Sequence, residues 1–150
     1  MKVGEACNRD VVVAEPHTEI LDAAKLMRAH HVGDLVIVEM RVGLPRPIGM
    51  LTDRDLVVEV MAQDVPPSEI TVADVMTSDI VTVPEDLEIW ETGERMRQHG
   101  VRRMPVVAAD GSLVGLITLD DLLELFTESL DTMTRLVRNE MRKETQRRKP

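Results

Sequence analysis

Apolar residues along this chain fall into short continuous runs and helically spaced stripes, and the two kinds alternate. Between Glu19 and about His30, Ile20, Ala23, Ala24 and Met27 recur at helical spacing, which predicts a helix with one buried face. Leu35 to Val38 is an unbroken apolar run too short for a helix, and it reads as a buried strand. Ile48 to Leu51 reads as the returning strand, with Glu39 to Pro47 a loop or hairpin connection marked by Gly43, Pro45 and Pro47. Upstream, Val3 to Cys7 fits one turn of helix or an extended arm, and Val11 to Val13 a brief β-branched strand. Downstream, Leu56, Val57 and Val60 give one apolar side to a helix over Arg54 to Met61. Thr18 is expected to cap the first helix, Gly33 to end it, and Thr52 or Asp53 to cap the second.

After Pro66-Pro67 the same order returns. At an offset of sixty-nine residues, Val3 falls on Val72, Asp10 on Asp79, Ile20 on Ile89, Met27 on Met96, Val32 on Val101 and Val38 on Val107. Beyond the loops the offset is sixty-six, and Gly49-Met-Leu-Thr52-Asp-Arg-Asp55 falls on Gly115-Leu-Ile-Thr118-Leu-Asp-Asp121. A difference of three residues in the loop, where Asp110-Gly111 supplies a tighter turn, accounts for the change of offset. The pattern is an internal duplication. Neither half buries enough surface to stand alone, so the expected fold is α/β, of the α+β type. Two tandem β-α-β-β-α repeats would pack as one pseudo-twofold module. Residues 1–65 form the first repeat, 66–128 the second, and 129–150 a helical extension with a basic tail.

That extension continues the second repeat's last helix. Leu122, Phe126, Leu130, Met133 and Val137 follow at spacings of four, four, three and four, and neither proline nor glycine interrupts Asp120 to Glu144. So long a seam outgrows one small domain and is expected to meet a partner subunit.

Composition narrows the chemistry. A formal net charge of -9 argues against a broad nucleic-acid footprint, although Arg102-Arg103 and the tail Arg142-Lys143 with Arg147-Arg148-Lys149 are local basic clusters. Trp90 and Phe126 are the only aromatic residues, too few for a base-stacking track. With Cys7 as the single cysteine there is no disulfide framework or repeated-cysteine zinc site, and His17, His30, His31 and His99 form no recognisable metal motif. The start lacks the apolar run of a secretory signal and no stretch approaches membrane-spanning length, which makes a cytoplasmic protein the expectation. No Walker loop or serine elbow is present, and catalysis is not indicated.

The two Thr-x-x-Asp segments are the best candidates for binding. A threonine hydroxyl can donate to a phosphate or ribose oxygen, and an ionised aspartate can accept from two ribose hydroxyls. The glycine ahead of each would let a ligand approach the backbone. In the alternative reading Thr52 and Thr118 only cap helices, with the aspartates in favourable first-turn positions; a copied cap would repeat as well. Arg102 and Arg103 could neutralise phosphate or form a solvated strand-edge pair. The first repeat carries Gly33-Asp34 at those positions, so any anion preference should be lopsided.

With the repeated Gly-x-x-Thr-x-x-Asp, His99-Gly-Val-Arg-Arg-Met-Pro-Val-Val107 and Ala73-Asp-Val-Met-Thr77, the chain resembles the cystathionine-beta-synthase (CBS) domain family from residue 1 to about 127, as a tandem pair. The resemblance implies a non-catalytic regulatory module, a Bateman module, that binds an adenosine-containing ligand (AMP, ADP, ATP, NAD or S-adenosylmethionine) between the repeats. It implies no obligatory cofactor. It also implies disc-like homodimers acting on a regulated protein that the sequence does not identify. By the same resemblance, Asp55 and Asp121 would hold ribose, and Thr52 and Thr118 ribose or phosphate. Val11, Val13 and Ile80 would flank adenine together with Val32 and Val101, and Arg102 and Arg103 would face phosphate. Loss of Asp121 is expected to remove most of the affinity. The first repeat departs from the family pattern at Gly33, Asp34 and Val36, which weighs against a phosphate-rich ligand in the Asp55 cleft. A ligand-free structural dimer module is the alternative; a nucleotide-processing enzyme and a nucleic-acid binder rank below it.

Overall fold

A computed structural model describes residues 1–148. Two three-stranded sheets repeat one topology. In the first, β1 (Val13–Ala14) runs parallel to β2 (Asp34–Arg41), which pairs antiparallel with β3 (Leu44–Thr52). In the second, β4 (Val83–Pro84), β5 (Arg103–Val107) and β6 (Leu113–Thr118) are arranged in the same way. The helices are α1 (Val3–Ala6), α2 (Ile20–His30), α3 (Asp53–Asp55) running into a π-helical stretch over Leu56–Met61, α4 (Val72–Val75), α5 (Ile89–His99) and α6 (Leu119–Arg147). The duplicated β-α-β-β-α order and the long last helix agree with the sequence reading.

Several local expectations change. The early strand lies at Val13–Ala14 rather than Val11 to Val13. Of the two readings for Glu39 to Pro47, the hairpin holds: β2 and β3 extend through most of the segment, and the chain turns at Val42 and Gly43 with φ of 51° and 75°. Its prolines, Pro45 and Pro47, are accommodated because β3 is an edge strand. The three extra residues of the first repeat thus extend strands, and the tighter turn belongs to that repeat, not to Asp110-Gly111. Helix α2 ends at His31, which takes the left-handed conformation at φ 54°, two residues before the expected Gly33.

Nor does Thr18 cap α2. Its first free N–H groups, on Ile20 and Leu21, donate to the carbonyls of Ile70 and Pro67, at 3.0 Å each. These bonds belong to an exchange of arms between the repeats. Val72 N–H donates to Thr18 O and Ala73 N–H to Pro16 O, so α4 docks on the first repeat. Val3 N–H donates to Leu87 O and Gly4 N–H to Glu85 O, so α1 docks on the second. The cores follow suit: Val72 is fully buried with Ile20, Leu35 and Leu51, and Val3 with Val83, Met104 and Ile117. A third apolar layer of Val36, Val38, Met50 and Leu116, with Val11 and Ile80 packed against it, joins the two sheets. Each repeat therefore lacks a complete core without the other.

Candidate ligand site

The Thr-x-x-Asp segments sit where β3 and β6 give way to helix. Asp55 Oδ2 accepts from Thr52 N–H at 2.9 Å, while Asp55 N–H donates to Thr52 Oγ1 at 3.2 Å. Asp121 Oδ2 accepts from Thr118 N–H at 2.8 Å and from the Thr118 hydroxyl at 2.7 Å, and Asp121 N–H donates back at 3.2 Å. Both pairs are reciprocal capping boxes, each satisfying donors that the helix start leaves open. The capping role of these residues is thus realised twice. It engages one oxygen of each carboxylate, and a carboxylate has lone pairs for further donors.

The glycines ahead of them serve a different purpose from the one expected. Antiparallel bridges join Met50 to Thr77 and Asn8 to Leu116, so the arm of the opposite repeat crosses each strand. A Cβ on Gly49 would sit 2.7 Å from Met76 Sδ and 3.0 Å from Thr77 O; one on Gly115 would sit 2.5 Å from Cys7 Sγ and 2.7 Å from Asn8 O. The close approach is made by the protein's own backbone. Cys7 is buried there, and burial pushes its thiol up from the ordinary value, which suits a packing residue rather than a nucleophile.

Where the arm and the sheets meet, a cavity of about 240 Å³ is lined by both repeats: Met50 and Thr52 from the first, Thr77, Asp79, Ile80, Val81, Val101, Arg102 and Arg103 from the second. Five of the expected site residues, Thr52, Ile80, Val101, Arg102 and Arg103, therefore converge; Asp55 does not line the cavity and is joined to it only through its hydrogen bonds with Thr52. The arginines lie in the cleft of Thr52, across the boundary between the repeats. Val11 and Val13 line a separate, open depression with Leu26 and His30. Asp55, Thr118, Asp121 and Val32 line neither space.

Arg103 is already engaged. Its guanidinium donates to Asp34 Oδ2, with 35% of the Arg103 side chain and 22% of that of Asp34 exposed. The two occupy equivalent positions in the duplication, so the ion pair spans the pseudo-twofold axis. Sequence reasoning noted the change of charge at Asp34 without seeing that it meets Arg103; opposite charges at equivalent positions were the available signal. Arg102 is 75% exposed and reaches Asp120 only at 4.0 Å, which leaves its charge open to a ligand.

Comparison with known proteins follows the same two units. The CBS domain family matches residues 3–62 and 72–128. The chain belongs to the CBS domain family. CBS pairs are regulatory rather than catalytic modules, and among the described residues no group of three or more His, Cys, Asp or Glu is placed to hold a metal ion. No described helix is long and apolar enough to cross a membrane. An uncharacterized protein of Methanopyrus kandleri, MK0525, is 38% identical over 125 residues, covering 83% of this chain and 62% of that protein. The CBS domain-containing protein YhcV of Bacillus subtilis is 33% identical over 120 residues, 80% of this chain and 81% of its own. Among solved structures, hypoxic response protein I, with two coordinated zinc ions, matches at TM-score 0.71 and 31% identity, covering 83% of this chain and 98% of that one. The CBS domain pair of protein MJ0100, in complex with 5-methylthioadenosine and S-adenosyl-L-methionine, matches at TM-score 0.71 and 25% identity, over 84% and 99% of the two chains.

Proposed function

We propose that this CBS pair is a homodimeric sensor that binds an adenosine-containing ligand in the cleft of Thr52 and Arg102. The observation that carries the reading is the 240 Å³ cavity at the junction of the repeats, apolar along Met50, Ile80, Val81 and Val101 and polar at Thr52 and Arg102. The apolar wall suits an adenine ring, the Thr52–Asp55 end a ribose, and the open guanidinium an anionic group. Asp34 neutralises Arg103 and Asp79 adds negative charge to the lining, which favours AMP or S-adenosylmethionine over ATP. The bound complex of the MJ0100 pair supports the adenosine class.

Signalling would follow from the same ion pair. A ligand phosphate or carboxylate that competes with Asp34 for Arg103 loosens a contact between the repeats, and the dimer geometry that tolerates this gains population. That geometry would be read by a regulated protein. The alternative, a ligand-free structural module, draws support from the capping boxes that already engage Asp55 and Asp121. A thermal-shift panel on nucleotide-stripped protein separates the two. Stabilisation by AMP or S-adenosylmethionine, confirmed by calorimetry, supports the sensor; a flat response from folded dimer supports the scaffold.

A further inference from the structure

Helix α6 leaves the body of the protein after Phe126, whose ring packs edge-on against Trp90 with centroids 5.5 Å apart. From Thr127 to Arg148 every residue is exposed. The stripe that buries Leu122 nevertheless continues as Leu130, Met133, Val137 and Met141, at spacings of three, four and four, and Leu136 beside it is 69% exposed. Helices in proteins draw most of their stability from packing an apolar face, and beyond Phe126 this one has no such packing among the described residues of the chain. Charge along the helix is sharply divided. Its first part carries Asp120, Asp121, Glu124, Glu128 and Asp131 with no basic residue; from Thr132 onward it carries Arg135, Arg138, Arg142, Lys143, Arg147 and Arg148 against Glu140 and Glu144.

We infer that α6 pairs antiparallel with α6 of a second copy of this chain, with Leu136 close to the twofold axis. Antiparallel pairing lays the acidic half of one helix along the basic half of the other, whereas parallel pairing sets like against like. The apolar register agrees. Leu130 and Met141 lie at nearly equal distances on either side of Leu136, about 16 Å apart along the helix, so Leu130 meets the partner's Met141. Met133 meets the partner's Val137, and Leu136 meets its own copy, which accounts for an exposed leucine at the margin of the stripe. On one flank Asp131 faces the partner's Arg138 and Arg142. Asp131 also accepts from Arg135 Nε within its own helix at 2.7 Å, an exposed pair that leaves acceptor capacity for a second arginine. This inference rests on the homodimer part of the proposed function and is independent of the ligand.

Disulfide trapping in the full chain tests it, with the mass in solution measured by light scattering. Oxidation of mixed Leu130→Cys and Met141→Cys chains should give the crossed dimer, Leu136→Cys alone should cross-link to itself, and Leu130→Cys alone should not. Reversal of Asp131 to Arg should weaken the dimer about ten-fold, as two exposed contacts per helix would, and Arg138→Asp with Arg142→Asp in the same chain should restore part of that loss. Self-cross-linking of Leu130→Cys, or an unchanged dissociation constant for Asp131→Arg, overturns the antiparallel register. A dimer with none of these cross-links overturns the helix pairing and leaves the homodimer standing, whereas a monomeric chain overturns both.

Discussion

The two repeats share a backbone plan and differ in what stands at its ends. At the Asp55 end, Thr52 lies in a cavity with Arg102 and Arg103; the first repeat carries Gly33 and Asp34 at the positions equivalent to these arginines. Both ends keep the same capping box, so the difference lies in the surrounding charge. The arms differ in a similar way. Gly49 lies under the Met76 thioether and Thr77 O, Gly115 under the shorter Cys7 side chain and Asn8 O. Duplication has kept the joints of the fold and left the charge around its two ends unequal.

The largest effect should come from the joints. Gly115→Ala places a methyl group against Asn8 O and the short Cys7 side chain and should cost about 3 kcal/mol; Gly49→Ala meets the flexible Met76 and a less close Thr77 O and should cost about 1–2 kcal/mol. Chemical denaturation of the two variants measures the gap, and equal losses would contradict the assigned crossing contacts. Next in size is the pair of aspartates. Asp55→Ala and Asp121→Ala should each lose about 1 kcal/mol of capping, yet only Asp55→Ala should reduce affinity for an adenosine ligand by roughly ten-fold or more.

Charge should sharpen the contrast by smaller factors. Asp34→Asn frees Arg103 and should raise affinity for ATP relative to adenosine by a few-fold, about 1 kcal/mol for a half-exposed pair; Arg102→Ala with Arg103→Ala should lower ATP more than adenosine. Equal changes for both ligands in calorimetry would remove the phosphate role. The smallest effect concerns the α1 arm. Glu88 is held below the ordinary carboxylate range, first by its hydrogen bond from Lys2 and then by the N-terminal amine, and Lys2 is raised chiefly by Glu88. A lowered carboxylate stabilises the fold above its unfolded value of 4.5 and loses that contribution as pH falls through the folded value. Wild type should therefore lose slightly more stability than Glu88→Gln on acidification below that pH, a slope readable in thermal melts.

Much of this was legible in sequence because repetition doubles every local signal. The offset between Gly49-x-x-Thr52-x-x-Asp55 and Gly115-x-x-Thr118-x-x-Asp121 marked the units, and unbroken helical spacing marked α6. What escaped was non-local. Ile70 and Pro67 cap α2 through backbone carbonyls, which carry no residue signature, and the arms cross at Gly49 and Gly115 because a glycine accepts a close neighbour of any origin. The Arg103–Asp34 pair escaped for another reason, since equivalent positions meet only when a pseudo-twofold axis runs between them.

The proposed inequality of the two clefts should show directly in binding. Titration calorimetry of AMP and of S-adenosylmethionine into nucleotide-stripped wild type, Asp55→Ala and Asp121→Ala measures it. The account predicts one site per chain for at least one of the two ligands, lost in Asp55→Ala and kept in Asp121→Ala. Binding lost in Asp121→Ala and kept in Asp55→Ala would contradict it, as would the absence of binding to a folded, dimeric wild-type protein.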